Sequence, residues 1–280
     1  MSIELPEAQI LAEQMNKELP GKQIRTYDLQ NCEKLQRIGF VNKDLSSFVQ
    51  IKGGTIESVV SRGNVILVKL DKSMNLLLSP EYGGKILLHA KSSAIPEKFH
   101  FKLQFTDDTT LTVALSGMGV IQALKDYELE QSYVYRRDFS ATASPTNGEE
   151  FTFERFSKEL TGKNVNIKSV IVGKNAVIVG LSNSSFQDII YRARIHPKRK
   201  ASDLTEKEKH ALYDTIKLVI HERIKSGGKN QFSDLYGKQG NYTSAMGPNM
   251  KDKVCKTCGT QVEKISLGGG QTYYCPKCQT

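Results

Sequence analysis

The spacing of apolar positions changes along this chain, and the changes mark its organisation. Over residues 6–19 the spacing is helical. Leu11, Met15 and Leu19 fall at i, i+4 and i+8 on one face, and Pro20-Gly21 ends the run. After that the period becomes two. Phe99, Phe101, Leu103 and Phe105 alternate with polar residues, Asp107-Asp108 turns the chain, and Leu111, Val113 and Leu115 alternate again. That pattern predicts a hairpin with one buried face. Residues 65–70, 76–78 and 86–88 read as further strands between Gly-rich turns. Residues 1–135 are therefore expected to form an antiparallel β-sandwich or barrel led by a helix. Residues 136–150, rich in Ser, Thr, Pro, Asn and Gly from 140 onward, read as a linker.

Helical spacing returns at Phe151. Phe153, Phe156 and Leu160 share a face, as do Leu212, Ile216, Val219 and Ile220. Ser202-Asp203-Leu204-Thr205, followed by Glu206 and Glu208, supplies a cap and an acidic first turn to the later helix. A helical domain over 151–228, a polar Gly-rich loop over 229–253 and a final segment over 254–280 complete the division. The expected class is α+β.

With 280 residues, 39% apolar and 25% charged, the chain can build two modest domains with real cores. No apolar run approaches the ~20 residues of a membrane span, and residues 1–7 lack the basic and apolar regions of a signal peptide. A cytoplasmic monomer without a membrane partner is the expectation. A net charge of +9 makes a polyanion a reasonable partner.

Four of the five cysteines form two Cys-x-x-Cys knuckles, Cys255/Cys258 and Cys275/Cys278, with sixteen residues between them. Zinc takes four soft ligands in a tetrahedron, and two knuckles at this spacing make a ribbon that holds one structural ion. A redox dithiol is the rival reading for a single knuckle, and two at ribbon spacing argue against it. Four thiolates leave no open position for catalysis. Cys32 stands alone and reads as a small buried apolar residue.

The stretch 180–197 opens with Gly180-Leu-Ser-Asn-Ser-Ser and ends at Pro197 inside a basic cluster of Arg192, Arg194, Lys198, Arg199 and Lys200. Its opening suits a loop feeding a helix N-terminus, where free N–H groups and a partial positive charge accommodate phosphate. Taken alone, an ordinary capped helix explains it as well.

Together these stretches resemble the formamidopyrimidine-DNA glycosylase and endonuclease VIII family. Asn166-Ile-Lys-Ser169, Arg192-Ala-Arg-Ile-His-Pro197 and the helix that stops at Gly227-Gly228 are similar to its helix–two-turn–helix. Residues 268–279, Gly-Gly-Gly-Gln-Thr-Tyr-Tyr-Cys-Pro-Lys-Cys-Gln, are similar to its terminal zinc finger. Glu4-Leu-Pro-Glu7 matches all but the first residue of its Pro-Glu-Leu-Pro-Glu start.

The resemblance implies that Asn183 grips a phosphate, with Lys168, Arg192, Arg194, Lys198, Arg199, Arg62 and Gln271 also on double-stranded, damaged DNA. It makes Glu4 the catalytic acid/base, and it implies a nucleoid-associated place in the cell. An acidic residue favoured by the helix dipole is the ordinary account of Glu4.

Several family positions differ. The nucleophilic proline is Ile3, whose internal amide has no usable lone pair. Removal of Met1 would expose the Ser2 amine, the candidate to take the proline's catalytic role, though one residue too early, a shift of ~3.8 Å. The turn Arg-Arg-Gly-Lys reads Ser61-Arg-Gly-Asn64, and the zinc-hairpin Arg is Gly270. Tyr82 and Met118 are the candidates to fill the gap left by a flipped base, and core packing is the alternative for each. The expectation is a divergent DNA glycosylase that bends DNA between its domains and flips a base toward Glu4. It would excise by hydrolysis, with weak or no abasic-site lyase activity. The rivals are a non-catalytic binder of damaged or distorted DNA and a zinc-ribbon protein acting on RNA or protein.

Overall fold

The computed structural model describes residues 3–80, 83–140, 143–173 and 176–280, so Ser2 and Tyr82 lie outside the described residues. The chain divides into two compact units, 1–140 with 226–241, and 141–225 with 242–280.

The first unit opens with helix α1, Leu5–Glu18. Glu4 is its N-cap and Pro6 lies in its first turn, where a missing N–H costs nothing. Ala8, Leu11, Met15 and Leu19 are buried, which is the face read from the sequence. Eight strands follow: β1 (Ile24–Leu29), β2 (Ile56–Arg62), β3 (Val65–Leu70), β4 (Met74–Pro80), β5 (Lys85–His89), β6 (Phe101–Phe105), β7 (Thr110–Ala114) and β8 (Gly119–Lys125). They form two four-stranded antiparallel sheets, ordered β1-β6-β7-β5 and β2-β3-β4-β8.

The expected hairpin is β6–β7, with Leu103 opposite Leu111 and Phe101 opposite Val113. Asp108 adopts φ +69° at its turn, and Asp107 Oδ1 accepts from the Thr109 N–H. Burial alternates along β6, as a strand with one buried face requires. β4 is buried at all seven positions because it lies inside its sheet, between β3 and β8. Helix α1 packs on β2 and β3. Phe48, Phe101 and Phe105 are fully buried, each stabilising by roughly 1.5–3 kcal/mol relative to exposure. Short helical turns α2 (Glu33–Arg37) and α3 (Tyr133–Tyr135) complete the unit.

Residues 226–241 return to this unit without forming a strand or α-helix. The Leu235 carbonyl accepts from Leu88 N–H at 2.9 Å, and its own N–H donates to Gln14 Oε1 at 3.0 Å.

The second unit contains α4 (Phe153–Leu160), α5 (Ile167–Ile171), α6 (Asn183–Arg192) and α7 (Glu206–Lys225). A terminal hairpin of β9 (Glu263–Leu267) and β10 (Gly270–Tyr274) follows. Each helix start is capped by a short polar side chain. Thr152, Asn166 and Ser182 accept from N–H groups of α4, α5 and α6. Thr205 and Glu208 bond each other's backbone N–H at the start of α7, a reciprocal box where the sequence predicts a cap and an acidic first turn. Phe156, Leu160, Leu212, Ile216, Val219 and Ile220 are buried, α7 packs against both α4 and α6, and Phe153 stacks on His210. No helix among the described residues is long and apolar enough to cross a membrane.

Candidate DNA-binding and catalytic sites

The second unit gathers several of the expected DNA contacts at one place. Ser182 caps α6, so Asn183 occupies the first helical position. The Asn183 side-chain amide donates to the Gln271 carbonyl on β10 at 2.8 Å, while its Oδ1 is buried without a hydrogen-bond partner among the described residues. Lys168, near the start of α5, donates from Nζ to the Leu267 carbonyl at the hairpin tip, at 2.6 Å. Burial draws its amine below the ordinary lysine range. Gly270 lies between them. A Cβ built there would stand 3.5 Å from Lys168 Nζ and 3.6 Å from Asn183 Nδ2. A side chain at 270 would therefore point into the same cluster.

Gln187 fixes this geometry. It donates to the Asn183 carbonyl at 2.9 Å and accepts from Tyr273 N–H at 2.7 Å, which docks β10 on α6.

The basic cluster splits into two groups. Arg194 and Lys198 are exposed, with Arg194 in the left-handed region at φ +59° after the end of α6. Arg192 and Arg199 are committed to internal partners. Arg192 bonds Asp188 at 3.1 Å, Glu222 at 2.7 Å and the Tyr242 hydroxyl at 3.1 Å. Asp188 is almost fully buried and also accepts from the Tyr242 hydroxyl and from Ala245 N–H. Burial, then the Asp188 carboxylate, pushes the Tyr242 phenol well above its ordinary value. Arg199 makes a two-pronged bond to Glu208, at 2.9 and 3.1 Å, and caps the Asp203 carbonyl.

The zinc ligands come together as the spacing implies. The four sulfurs of Cys255, Cys258, Cys275 and Cys278 lie within 4.8 Å of one another. Thiolates on one tetrahedral zinc, at ~2.3 Å from the metal, stand about 3.8 Å apart, so the set fits the ion. Tyr191 places its hydroxyl 3.2 Å from Cys255 Sγ, and Gln279 ties the last knuckle to the Ile195 carbonyl. Met246 and Met250 pack with Val262 and Tyr273 around the buried Cys255 and Cys275. Zinc is a structural cofactor of this chain, held by these four thiolates.

In the first unit, Glu4 is 1% exposed. Its backbone N–H donates to Glu7 Oε2 at 3.1 Å, and its carbonyl accepts from Ala8 N–H. Glu7 Oε1 accepts from the Lys229 N–H at 3.1 Å. Lys229 Nζ stands 3.8 Å from Glu4 Oε1. Arg62 ends β2, half-buried, and pairs with Val65 across the Gly63-Asn64 turn. Asn64 Oδ1 accepts from the Arg137 guanidinium at 2.7 Å, and its N–H donates to Asp138 at 3.1 Å. Met118 sits half-buried in the turn between β7 and β8, outside the core. Sequence reasoning missed Arg137 and Lys229, since no local pattern marks either.

A capped loop with a lysine and an asparagine against a zinc hairpin in one unit, and a buried carboxylate at a helix N-cap in the other, are the features of a DNA-binding zinc protein with a candidate acid/base. Comparison with known proteins gives its family. Residues 3–114 match the formamidopyrimidine-DNA glycosylase N-terminal domain, 143–234 the formamidopyrimidine-DNA glycosylase H2TH domain, and 252–280 the zinc finger found in FPG and IleRS. The formamidopyrimidine-DNA glycosylase of Bacillus anthracis is 30% identical over 238 residues, 82% of each chain. That of Bacillus subtilis is 27% identical over 282 residues, 99% of each chain. Lactococcus lactis Fpg, solved in complex with DNA containing an abasic site, superposes with a TM-score of 0.86 at 22% identity over 99% of each chain. MutM, solved with DNA containing carbocyclic 8-oxo-G, gives 0.83 at 21% identity, again over 99% of each chain. The chain belongs to the formamidopyrimidine-DNA glycosylase family, the DNA glycosylases that act on damaged bases.

Proposed function

We propose that this protein excises damaged bases from duplex DNA, with Glu4 as its catalytic carboxylate. The observation that carries the reading is the placement of Glu4. It is held at the N-cap of α1 and buried, and the sequence resemblance of Glu4-Leu-Pro-Glu7 to the family's start supports its reading as the catalytic glutamate. A damaged base must leave the stack before its C1′ can be reached. Glu4 then orients or activates the attacking group and supplies a proton to the sugar.

Asn183, Lys168 and Gln271 at the hairpin tip, with exposed Arg194 and Lys198, hold the phosphate backbone. Arg62 adds a contact from the first unit. Met118 on its half-buried turn and Tyr82 are the candidates for the gap left by the flipped base. Duplex DNA as partner goes with a cytoplasmic, nucleoid-associated location.

The family's imine routes are closed here. Ile3 offers an amide in place of the proline amine, and Asn64 offers none where a lysine stands in the family pattern. At the family's own positions hydrolysis at Glu4 remains, with strand cleavage through a terminal imine weak or absent.

The test is a panel of lesion-bearing duplexes assayed separately for binding, base release and strand cleavage. Glu4→Gln should lower base release by a factor of about 10²–10⁴, the usual weight of a general acid/base, while duplex binding persists. Binding by the wild-type protein without release of any base would select the non-catalytic reading, which the replaced proline, lysine and arginine favour. Binding to no lesion would end both.

A further inference from the structure

Excision through an imine needs an amine within reach of the carboxylate that opens the sugar. The first unit brings one there from 225 positions along the chain. Gly228 makes the approach possible. It adopts φ +87°, and a Cβ on it would lie 2.5 Å from Phe232 Cδ1 and 3.2 Å from Glu7 Cγ. Only glycine lets the backbone pass so close to α1. The next residue is then pinned, with the Lys229 N–H on Glu7 Oε1 and Lys229 Nζ 3.8 Å from Glu4 Oε1.

Both side chains are withdrawn from water, with 8% of Lys229 and 1% of Glu4 exposed. A lysine removed from water this far is costly, and an ion pair made only for stability gains little by being buried. A buried ammonium next to a carboxylate has, in return, a proton acceptor at hand, the arrangement of groups a lysine nucleophile needs.

We propose that Lys229 is the amine nucleophile of this enzyme, taking the place of the absent terminal proline. The inference rests on Glu4 as catalytic carboxylate and replaces the attacking water with an amine.

The ammonium passes a proton to Glu4. The Nζ lone pair forms a bond to C1′ as the C1′–base bond breaks, and the base leaves with that electron pair and takes up the proton that the newly bonded Nζ sheds, which restores a lone pair on Nζ. Glu4 returns its proton to O4′ as the C1′–O4′ bond opens, which leaves an iminium between Lys229 and C1′. Loss of the C2′ proton then feeds electrons toward C3′, and the C3′–O bond breaks with its pair leaving on the 3′ phosphate. Water hydrolyses the unsaturated imine and returns the lysine. On an abasic site the amine adds to the C1′ aldehyde, water is lost, and the same elimination follows. No oxidant or metal enters.

The test is borohydride trapping of the full-length, zinc-loaded protein on a duplex with one abasic site. Peptide mass spectrometry then locates the adduct, and base release is measured in parallel on lesion duplexes. The expected result is a reduced adduct on the peptide bearing Lys229. Lys229→Arg, which keeps the charge, should lose the adduct while lesion-duplex binding remains as evidence of folding. An adduct on the N-terminal peptide, or base release by the wild-type protein with no trapped adduct, would overturn the assignment to Lys229 and leave the glycosylase reading standing. Binding with neither release nor adduct would overturn both.

Discussion

Arg192→Ala separates a structural from a DNA-contacting role for the basic cluster. In the structure Arg192 closes a network of Asp188, Glu222 and Tyr242 at the α6–α7 contact. Removing one partner of a buried ion pair costs ~3–5 kcal/mol when the remaining charge is left uncompensated. Here Asp188, 1% exposed, would keep the Tyr242 hydroxyl and the Ala245 N–H, which offsets part of that cost. The Glu222 bond is partly solvated, with 39% of that side chain exposed, and adds at most ~1 kcal/mol.

A loss of about 2–3 kcal/mol results. Unit two has about 124 residues, and at ~2.1 cal/mol/K per residue its unfolding entropy is ~0.26 kcal/mol/K. The Tm should therefore fall by ~8–12 °C. Calorimetry of the zinc-loaded protein measures this. Lesion-duplex binding over a salt series, well below the transition, supplies the second reading. The slope of log K against log salt should not change in Arg192→Ala. In Lys198→Ala, whose side chain is exposed, Tm should hold while the slope loses ~0.9, the share of one phosphate contact. An Arg192→Ala protein with unchanged Tm and a slope reduced by about one unit would refute the structural assignment and place the guanidinium on a phosphate.

Three further outcomes follow from the same geometry. Freshly purified protein should carry one zinc, and chelation should unfold the β9–β10 hairpin, read as loss of amide-exchange protection over 254–280; metal-free protein with that protection intact would reject the site. Asn183→Ala and Lys168→Ala should each weaken binding to all duplex sequences, and Lys168→Ala should also flatten the salt slope by ~0.9; unchanged affinity in both would remove DNA from the hairpin-tip cluster. Cys32, 4% exposed with its thiol pushed up to about 11 by burial first and Glu33 second, should resist a thiol reagent at pH 8, where only about a thousandth of it is thiolate; rapid labelling of the native protein would contradict that packing.

What could be read from the sequence was local. The β6–β7 hairpin and the α1 face follow from periodicity, because each buries one side of a regular element. The zinc site follows from a spacing that one ion dictates. Strands β1, β2 and β8 left no reading, since their burial follows no clean alternation. The roles within the basic cluster were equally hidden. Arg192 and Lys198 look alike in sequence, and only the folded chain brings Asp188, Glu222 and Tyr242 around the first while leaving the second exposed.

The cations near the altered family positions were least legible of all, because each arrives from far along the chain. By the sequence resemblance Asn64 stands where the family has a lysine, and Arg137, 73 positions on, lays its guanidinium on the Asn64 side chain. By the same resemblance Gly270 stands where the family has an arginine, and Lys168 brings its side-chain nitrogen to 3.5 Å from the Cβ that residue 270 lacks. The resemblance sets Ile3 at the proline's position, and Lys229 stands at the neighbouring Glu4. As the resemblance aligns them, each position lacks the family's side chain while a positive charge stands close by. Screening leaves charge useful over roughly 8–10 Å at moderate salt, so phosphate binding tolerates a cation moved by a few ångströms. Attack at C1′ does not, because bond formation needs the reacting atoms about 3–3.5 Å apart and aligned. The first two replacements can therefore be judged by affinity and salt slope, but Lys229 only by the covalent bond it forms.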